Sequence, residues 1–397
     1  MKYKKQKILV VLGEKFYYEN GKYHTNQTSG KFVLEAFPDA DITFCSHLIN
    51  KSGIDHNFSV DDKKFETLPY YDSIKDFAVK SIINPTFLIR YIKSCNDILD
   101  KYPDALVWAR NPSIGCLIFS LCSLKKKRYI INHMCANTML GWSNKKYNKV
   151  EQIVGYLLSL ILKKMVIKTV SNNRTLNLCT GDELYNFCYK LNKDSYQFVD
   201  LMAEKIDVNK DNNQRDRSKL KLLYVGRLEK DKGVGELCQA VSDIDENYIQ
   251  LDVIGGGGDR ELEKIYFSKK NIIFHGPLKH VEVSSFLENC DVLVAPSTNL
   301  YEGFPRVIME AWCHHKPVIV SNVGGVKAFV KHGVNGVLVP AGDVYSLRKE
   351  IIHICDDDYF NRLKLGALKM ASISNKYYWQ KMVSSLVHSW MLVKNKE

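Results

Sequence analysis

Eleven cysteines are scattered through the 397 residues without a single C-x-x-C pair. An odd, unpatterned set of this kind argues against both a disulfide framework and a zinc site. A reducing cytoplasm is the simplest setting, with most thiols acting as small buried apolar groups. The triplet Cys313-His314-His315 suggests a metal, but adjacent helical residues point in different directions, so no metal site is expected there. Long apolar runs are also lacking. The longest, VGYLLSLIL from Val154 to Leu162, is about half of a bilayer span. The opening MKYKKQKILVVLGEKF imitates a secretory leader with its lysines, yet its apolar core is only Ile8 to Leu12 and no small-residue cleavage site follows. It reads as a first buried strand. Two nucleotide fingerprints are missing as well: the run Gly255 to Gly258 is not G-x-G-x-x-G, and no lysine-serine pair follows it as in a P-loop.

What is present is the composition of a folded, soluble chain, 45% apolar and 25% charged. Its length accommodates two domains, each with its own core. The net charge of +12 suits polyanions: nucleic acid, nucleotide phosphates or an anionic membrane leaflet. It equally suits simple solubility. No helix-turn-helix and no basic stripe interleaved with aromatics accompanies the charge, so nucleic acid is not an expected partner.

Short β-branched runs alternate with longer helical patterns, the mark of parallel sheets with crossover helices. In the first half KILVVL, DITFCS, ALVWAR, RYIINH and QFVD read as strands, with helices around GKFVLEAF and KVEQIVGYLLSLILKKMVIK. In the second half KLLYVG, IQLDVIG, NIIFHG, DVLVAPS, PVIVSN and GVLVP read as strands. Between them VNKDNNQRDRSK, Val208 to Lys219, has no apolar period and reads as a linker. The expected division is therefore an α/β domain over 1–207 and a second over 208–375. A last amphipathic helix over about 376–397, capped by Ser374 or Asn375, is expected to pack back on the first domain. Both domains are expected to be doubly wound and Rossmann-like, with a ligand cleft at the carboxyl ends of their strands.

Three stretches carry chemistry. In YVGRLEKDKG a strand delivers Arg227 and Lys232 into a loop before a helix. A planar fork and a point charge at that place suit a diphosphate, although either could be a plain surface base. In LDVIGGGGDRELEK the glycines from Gly255 allow close backbone approach, a weaker signal. In DVLVAPSTNLYEGFPRVIMEA a strand ends in a loop holding Asn299, Tyr301 and Glu302. Gly303 and Phe304 turn the chain, Pro305 opens a helix, and Glu310 lies about two turns along it. The free N–H groups of that helix start suit an anion, while carboxylates suit hydroxyl donors. A diphosphate flanked by two hydroxyl-bearing sugars, as in a nucleotide sugar, fits this pattern.

GRLEKDKG, VIGGGGDRELEK, IIFHGPLKHVEV, DVLVAPSTNLYEGFPRVIMEA, PVIVSNVGG and HGVNGVLVPAGD follow one another over Gly226 to Asp343. Their succession resembles the retaining glycosyltransferases of family 4, which have the GT-B fold of two Rossmann-like domains. The resemblance implies that Arg227 and Lys232 hold the donor diphosphate, Glu302 the donor sugar hydroxyls and Glu310 the ribose. It implies that Gly255, Gly303, Phe304 and the N–H groups of Arg306 and Val307 line the donor site. It further implies that His133 in INHMCANT faces the donor sugar, where the residue alone reads as a core or loop histidine. GKYHTNQTSGKF is similar to the family's glycine-containing loop after the first strand, with only Gly30 before the helix and no Gly-Gly pair. Ala328 stands where many relatives carry an acid, a change not expected to remove catalysis. No metal cofactor is implied, and the aspartates at Asp39, Asp41, Asp243 and Asp245 read as solvated loop acids.

The implied activity is transfer of a sugar from UDP-sugar, with GDP-sugar the next choice, to a glycan or lipid-linked glycan during bacterial surface polysaccharide synthesis. The implied place is the cytoplasm, with peripheral contact to an anionic membrane left open by the apolar face and paired lysines of GYLLSLILKKMVIK. A sugar-nucleotide epimerase of the same architecture and a non-enzymatic polyanion binder remain as alternatives. A nicotinamide oxidoreductase is disfavoured by the missing glycine fingerprint.

Overall fold

The computed structural model describes residues 5–50, 56–143, 148–204, 219–259, 261–394 and 396. All but the last residue of the expected linker, Val208 to Lys219, therefore lies outside the described residues. The chain forms two compact units, one comprising Met1–Trp142, Ile153–Met202 and Trp379–Glu397, the other Ser143–Gln152 and Ala203–Tyr378.

In the first unit seven strands run parallel in the order β5 (Phe65–Thr67), β3 (Asp41–Leu48), β1 (Lys7–Glu19), β6 (Leu106–Asn111), β7 (Ile130–Met134), β8 (Thr175–Cys179) and β9 (Ser195–Gln197). Chain order reverses between β1 and β6. The continuous apolar runs explain the arrangement, because Ile8 to Val11 and Leu106 to Ala109 are covered on both faces. Each valine, leucine or isoleucine among them contributes about 1.5–3 kcal/mol on burial. The last helix, α13 (Lys376–Lys394), belongs to this unit from Trp379 onward. Trp379, Val383, Val387 and Trp390 recur at helical spacing and are all buried. Asn375 caps it by accepting from the Tyr378 N–H at 3.1 Å, and Trp390 Nε1 donates to Asp194 at 2.9 Å.

Four features of this unit depart from expectation. β1 runs seven residues past KILVVL, and Asn20-Gly21, both at positive φ, turn it into β2 (Lys22–Thr25). Lys22 to Thr25 of the segment expected as a glycine-containing loop are thus a hairpin strand, paired with β4 (Phe58–Asp61), and the segment turns helical at Ser29; a two-residue Asn-Gly turn favours that hairpin. Strand β9 ends at Gln197, so most of QFVD lies beyond it. Strand β8, TLNLC, was not anticipated, because Thr175 and Asn177 break its apolar run. Both are nevertheless fully buried. The Asn177 amide is satisfied by a ladder across the sheet, from Asn111 to Asn132 (2.8 Å), Asn132 to Asn177 (2.7 Å) and Asn177 to Ser195 (3.2 Å).

The second unit contains all six expected strands, β10 (Leu220–Val225), β11 (Ile249–Ile254), β12 (Ile272–Gly276), β13 (Val292–Ala295), β14 (Val318–Ser321) and β15 (Val337–Val339). They are parallel throughout and ordered β12-β11-β10-β13-β14-β15. The first strand in sequence lies third in space and the fourth lies beside it. That reversal between β10 and β13 is the switch point of a doubly wound sheet, where the two following loops diverge and leave a crevice.

Candidate donor-binding site

Two loops meet at that switch point. The first follows β10 and carries Gly226, Arg227, Asp231 and Lys232 into α7 (Val234–Ser242). The second follows β13 and carries Ser297, Asn299, Tyr301 and Glu302 into α10 (Arg306–Cys313). Asp231 clips one loop to the other: its carboxylate accepts from the Tyr301 hydroxyl at 3.1 Å and the Asn299 amide at 3.3 Å. Its carbonyl oxygen accepts from the Thr298 N–H at 3.0 Å. Helix α10 is held rigidly, with Ile308, Met309, Ala311 and Trp312 fully buried and the Trp312 indole donating to Asn335 O at 2.9 Å. Pro305 occupies the N-cap rather than the first helical position, and no side chain caps the helix. The first turn therefore keeps donors available for an anion.

Between the loops is a cavity of about 280 Å³. It brings together six of the residues expected from sequence: Arg227, Lys232, Glu302, Arg306, Val307 and Glu310. Lys232 Nζ pairs with Glu302 Oε1 in a setting where the side chains are only 17% and 20% exposed. The second carboxylate oxygen accepts from Ser297 Oγ at 2.8 Å. Glu310, by contrast, lines the cavity with no side-chain hydrogen bond or ion pair to protein among the described residues, leaving both oxygens for a ligand. The Tyr224 hydroxyl donates to Arg227 O at 2.8 Å and fixes where that arginine leaves the strand. Burial, and after it the Glu302 charge, push the Tyr224 phenol well above its usual range, so it stays a donor.

Gly255, at φ +148°, does not line the cavity; a Cβ there would sit 1.7 Å from the Gly226 carbonyl oxygen. It lets the β11 loop press on the β10 loop. Gly303 is buried, and Phe304 is a core anchor, packed edge-on against Phe329 with ring centroids 5.0 Å apart. His133 belongs to the first unit, on β7, where it is 1% exposed between the rings of Trp108 and Phe198. Its environment is that of a core histidine. Among the described residues no cluster of three or more His, Cys, Asp or Glu side chains suits a metal ion, and no helix is long and apolar enough to cross a membrane.

Sequence reasoning missed Ser297, Asp231 and Tyr224. Only the position of Ser297, two residues beyond a strand end at the switch point, signalled it. Gly324, at φ +55°, also bears on the site: a Cβ there would come 2.2 Å from Glu302 O. The β14 loop thus supports the backbone of Glu302 from behind.

Residues 205–367 match the family model described as glycosyl transferases group 1. An uncharacterized glycosyltransferase of Methanocaldococcus jannaschii is 33% identical over 170 residues, 41% of this chain and 45% of that protein. The capsular polysaccharide biosynthesis glycosyltransferase CapM of Staphylococcus aureus is 31% identical over 193 residues, 44% of this chain and 49% of its own length. The match thus spans about half the length of these curated relatives. Among solved structures, Anabaena HepE in complex with UDP and glucose superposes with a TM-score of 0.64 at 15% identity, covering 97% of this chain and 100% of that one. Sucrose-phosphate synthase of Thermosynechococcus elongatus gives a TM-score of 0.70 at 16% identity over 98% and 100% of the two chains. At such identities the likeness speaks to fold alone, and it extends over both units. The family match thus lies on the unit that holds the cavity, and the chain has the GT-B fold of two Rossmann-like units.

Proposed function

We propose that the protein is a retaining glycosyltransferase that moves a sugar from a UDP-sugar to a hydroxyl of a glycan or lipid-linked glycan. The observation that carries this reading is the single cavity holding Arg227, Lys232, Glu302 and Glu310 at an uncapped helix start. In this reading the donor diphosphate lies against the first turn of α10 with Arg227 and Lys232 around it. Glu310, its oxygens uncommitted, accepts from the ribose hydroxyls. Lys232 starts out on Glu302; an arriving phosphate competes for it and frees one carboxylate oxygen for a sugar hydroxyl. Negative charge grows on the departing diphosphate as the sugar–oxygen bond breaks, and preorganised cations and N–H groups stabilise it there. The acceptor oxygen bonds to the same face of the anomeric carbon and passes its proton to the departing phosphate oxygen. His133, enclosed in the first unit's core, is assigned no contact with the sugar.

No metal has a step in this scheme. UDP as the nucleotide is favoured by the HepE complex, and a role in surface polysaccharide synthesis by the likeness to CapM and to a protein of the Klebsiella pneumoniae cps region, 27% identical over 278 residues. Such a role places the enzyme in the cytoplasm. The test is turnover of a panel of UDP- and GDP-sugars in EDTA, with a membrane-lipid extract as acceptor and Glu302→Ala as control. We expect one UDP-sugar to be consumed, the product to keep the donor's anomeric configuration by NMR, and the variant to be inactive. Donor conversion without any acceptor would indicate an epimerase instead.

A further inference from the structure

The first unit has an opening at the edge of its sheet, away from the reversal between β1 and β6. It lies beside β5, the outermost parallel strand, with β3 between that strand and β1. The loop after β5, helix α2 (Ile74–Ile83) and helix α3 (Pro85–Lys101) surround a cavity of about 650 Å³, inside the range of about 300–1,000 Å³ common for small-molecule sites. Leu68 and Phe87 give it a buried apolar floor, and Tyr70 stands at its rim, 40% exposed. Tyr70 is held at both ends: its hydroxyl donates to Asp72 at 3.2 Å, and its carbonyl oxygen accepts from Lys80 Nζ at 3.3 Å. A fixed, partly exposed ring beside an apolar floor is a platform for the C–H face of a sugar.

The polar groups of the cavity narrow the ligand further. No carboxylate lines it. Of its two cations, Lys80 is neutralised by Asp76 at 2.8 Å, whereas Arg90 makes no hydrogen bond or salt bridge among the described residues. The Arg90 guanidinium instead rests 6.0 Å from the centroid of the Phe87 ring. Ser94 lies one turn further along the same face of α3, and its hydroxyl is likewise uncommitted among the described residues. A planar cationic fork beside a hydroxyl and an aromatic platform matches a sugar ring that carries a carboxylate. One available positive charge suits one such group. A diphosphate would call for more cations, and a neutral glycan would make no use of the arginine.

We propose that this cavity binds a hexuronate unit of an acidic glycan, with the carboxylate on Arg90, a ring hydroxyl on Ser94 and the sugar's C–H face on Tyr70. The proposal rests on the reading of the protein as a glycan-building transferase and narrows its acceptor class to carboxylate-bearing glycans. The test is titration with tetragalacturonate, hyaluronan tetrasaccharide and neutral chitotetraose, followed by calorimetry and by saturation-transfer NMR of the sugars. The variants are Arg90→Glu, Tyr70→Ala and, as a control for charge alone, Lys93→Glu, an exposed position on α3 outside the cavity. Circular dichroism and UDP titration run in parallel. We expect at least one acidic tetrasaccharide to bind the wild type at least roughly tenfold more tightly than chitotetraose. Arg90→Glu and Tyr70→Ala should each lose at least roughly tenfold in that binding, and Lys93→Glu should stay within about twofold, all with fold and UDP affinity kept. No binding of either acidic tetrasaccharide, or equal binding of chitotetraose, would overturn the proposal. So would binding unchanged in Arg90→Glu, or an equal loss in Lys93→Glu. Binding unchanged in Tyr70→Ala would overturn the stacking of the sugar. Any of these results with UDP still bound leaves the donor-site reading standing, whereas absence of UDP binding counts against that reading alone.

Discussion

Replacing Ser297 by alanine removes one hydroxyl that the sequence did not mark as functional, and its effect should separate donor sugar from nucleotide. Ser297 is 6% exposed, and its Oγ lies 2.8 Å from Glu302 Oε2 and 3.1 Å from Asp231 O. A single proton serves both, and the carboxylate is the stronger acceptor. A hydrogen bond to a charged group contributes about 1.5–3 kcal/mol, and about 1.4 kcal/mol is tenfold in rate. The Ser297 proton is shared with the Asp231 carbonyl, so the lower end applies, a roughly tenfold fall in turnover. The nucleotide contacts proposed for Arg227 and Glu310 do not pass through Ser297. We therefore expect UDP affinity, measured by calorimetry, to stay within about twofold, while kcat with the UDP-sugar falls roughly tenfold. Unchanged kcat, or UDP affinity falling in step with kcat, would refute the idea that Ser297 positions the sugar-binding carboxylate.

Three further outcomes follow from other parts of the fold. Gly324→Ala combines a positive φ with a Cβ 2.2 Å from Glu302 O, and should cost about 2–4 kcal/mol in urea unfolding; an unchanged midpoint would contradict the close approach. Glu310→Ala should weaken UDP roughly tenfold yet leave the melting temperature almost unaltered, since no protein group among the described residues bonds to that carboxylate; loss of stability instead would make Glu310 structural. His47 is 3% exposed, and burial, followed by the Lys15 charge and partly opposed by Asp72, lowers its pKa to about 4. The native state thus favours the neutral ring: its contribution is fully present above pH ~6.5 and is lost as pH falls toward 4, about 3 kcal/mol in all. Relative to His47→Gln, the wild type should lose stability across that window, and parallel curves would remove the assignment.

The second unit was legible because its six strands are short apolar runs covered on both faces, each ending in a glycine-, serine- or proline-containing loop. Arg227, Lys232, Glu302 and Glu310 stood out because their residue types at strand and helix ends have few structural uses. Ser297 and Asp231 did not, since their contribution comes from loops 66 to 70 residues apart meeting in space. In the first unit the failures have the same origin. Strand β8 hides behind Asn177, which is buried only because Asn132 and Ser195 on the neighbouring strands satisfy it. The Asn20-Gly21 pair itself favours a hairpin turn, whereas the resemblance implies a loop there. The burial of His133 depends on Trp108 and Phe198, from β6 and the segment after β9, and no local pattern announces it.

The most direct test of the central claim is a calorimetric titration of UDP, in EDTA, into the wild type and into Arg227→Ala and Lys232→Ala. The account predicts saturable one-to-one binding by the wild type, weakened at least roughly tenfold by either substitution, as expected for lost charge-assisted phosphate contacts. Absence of UDP binding, or binding indifferent to both substitutions, would contradict it.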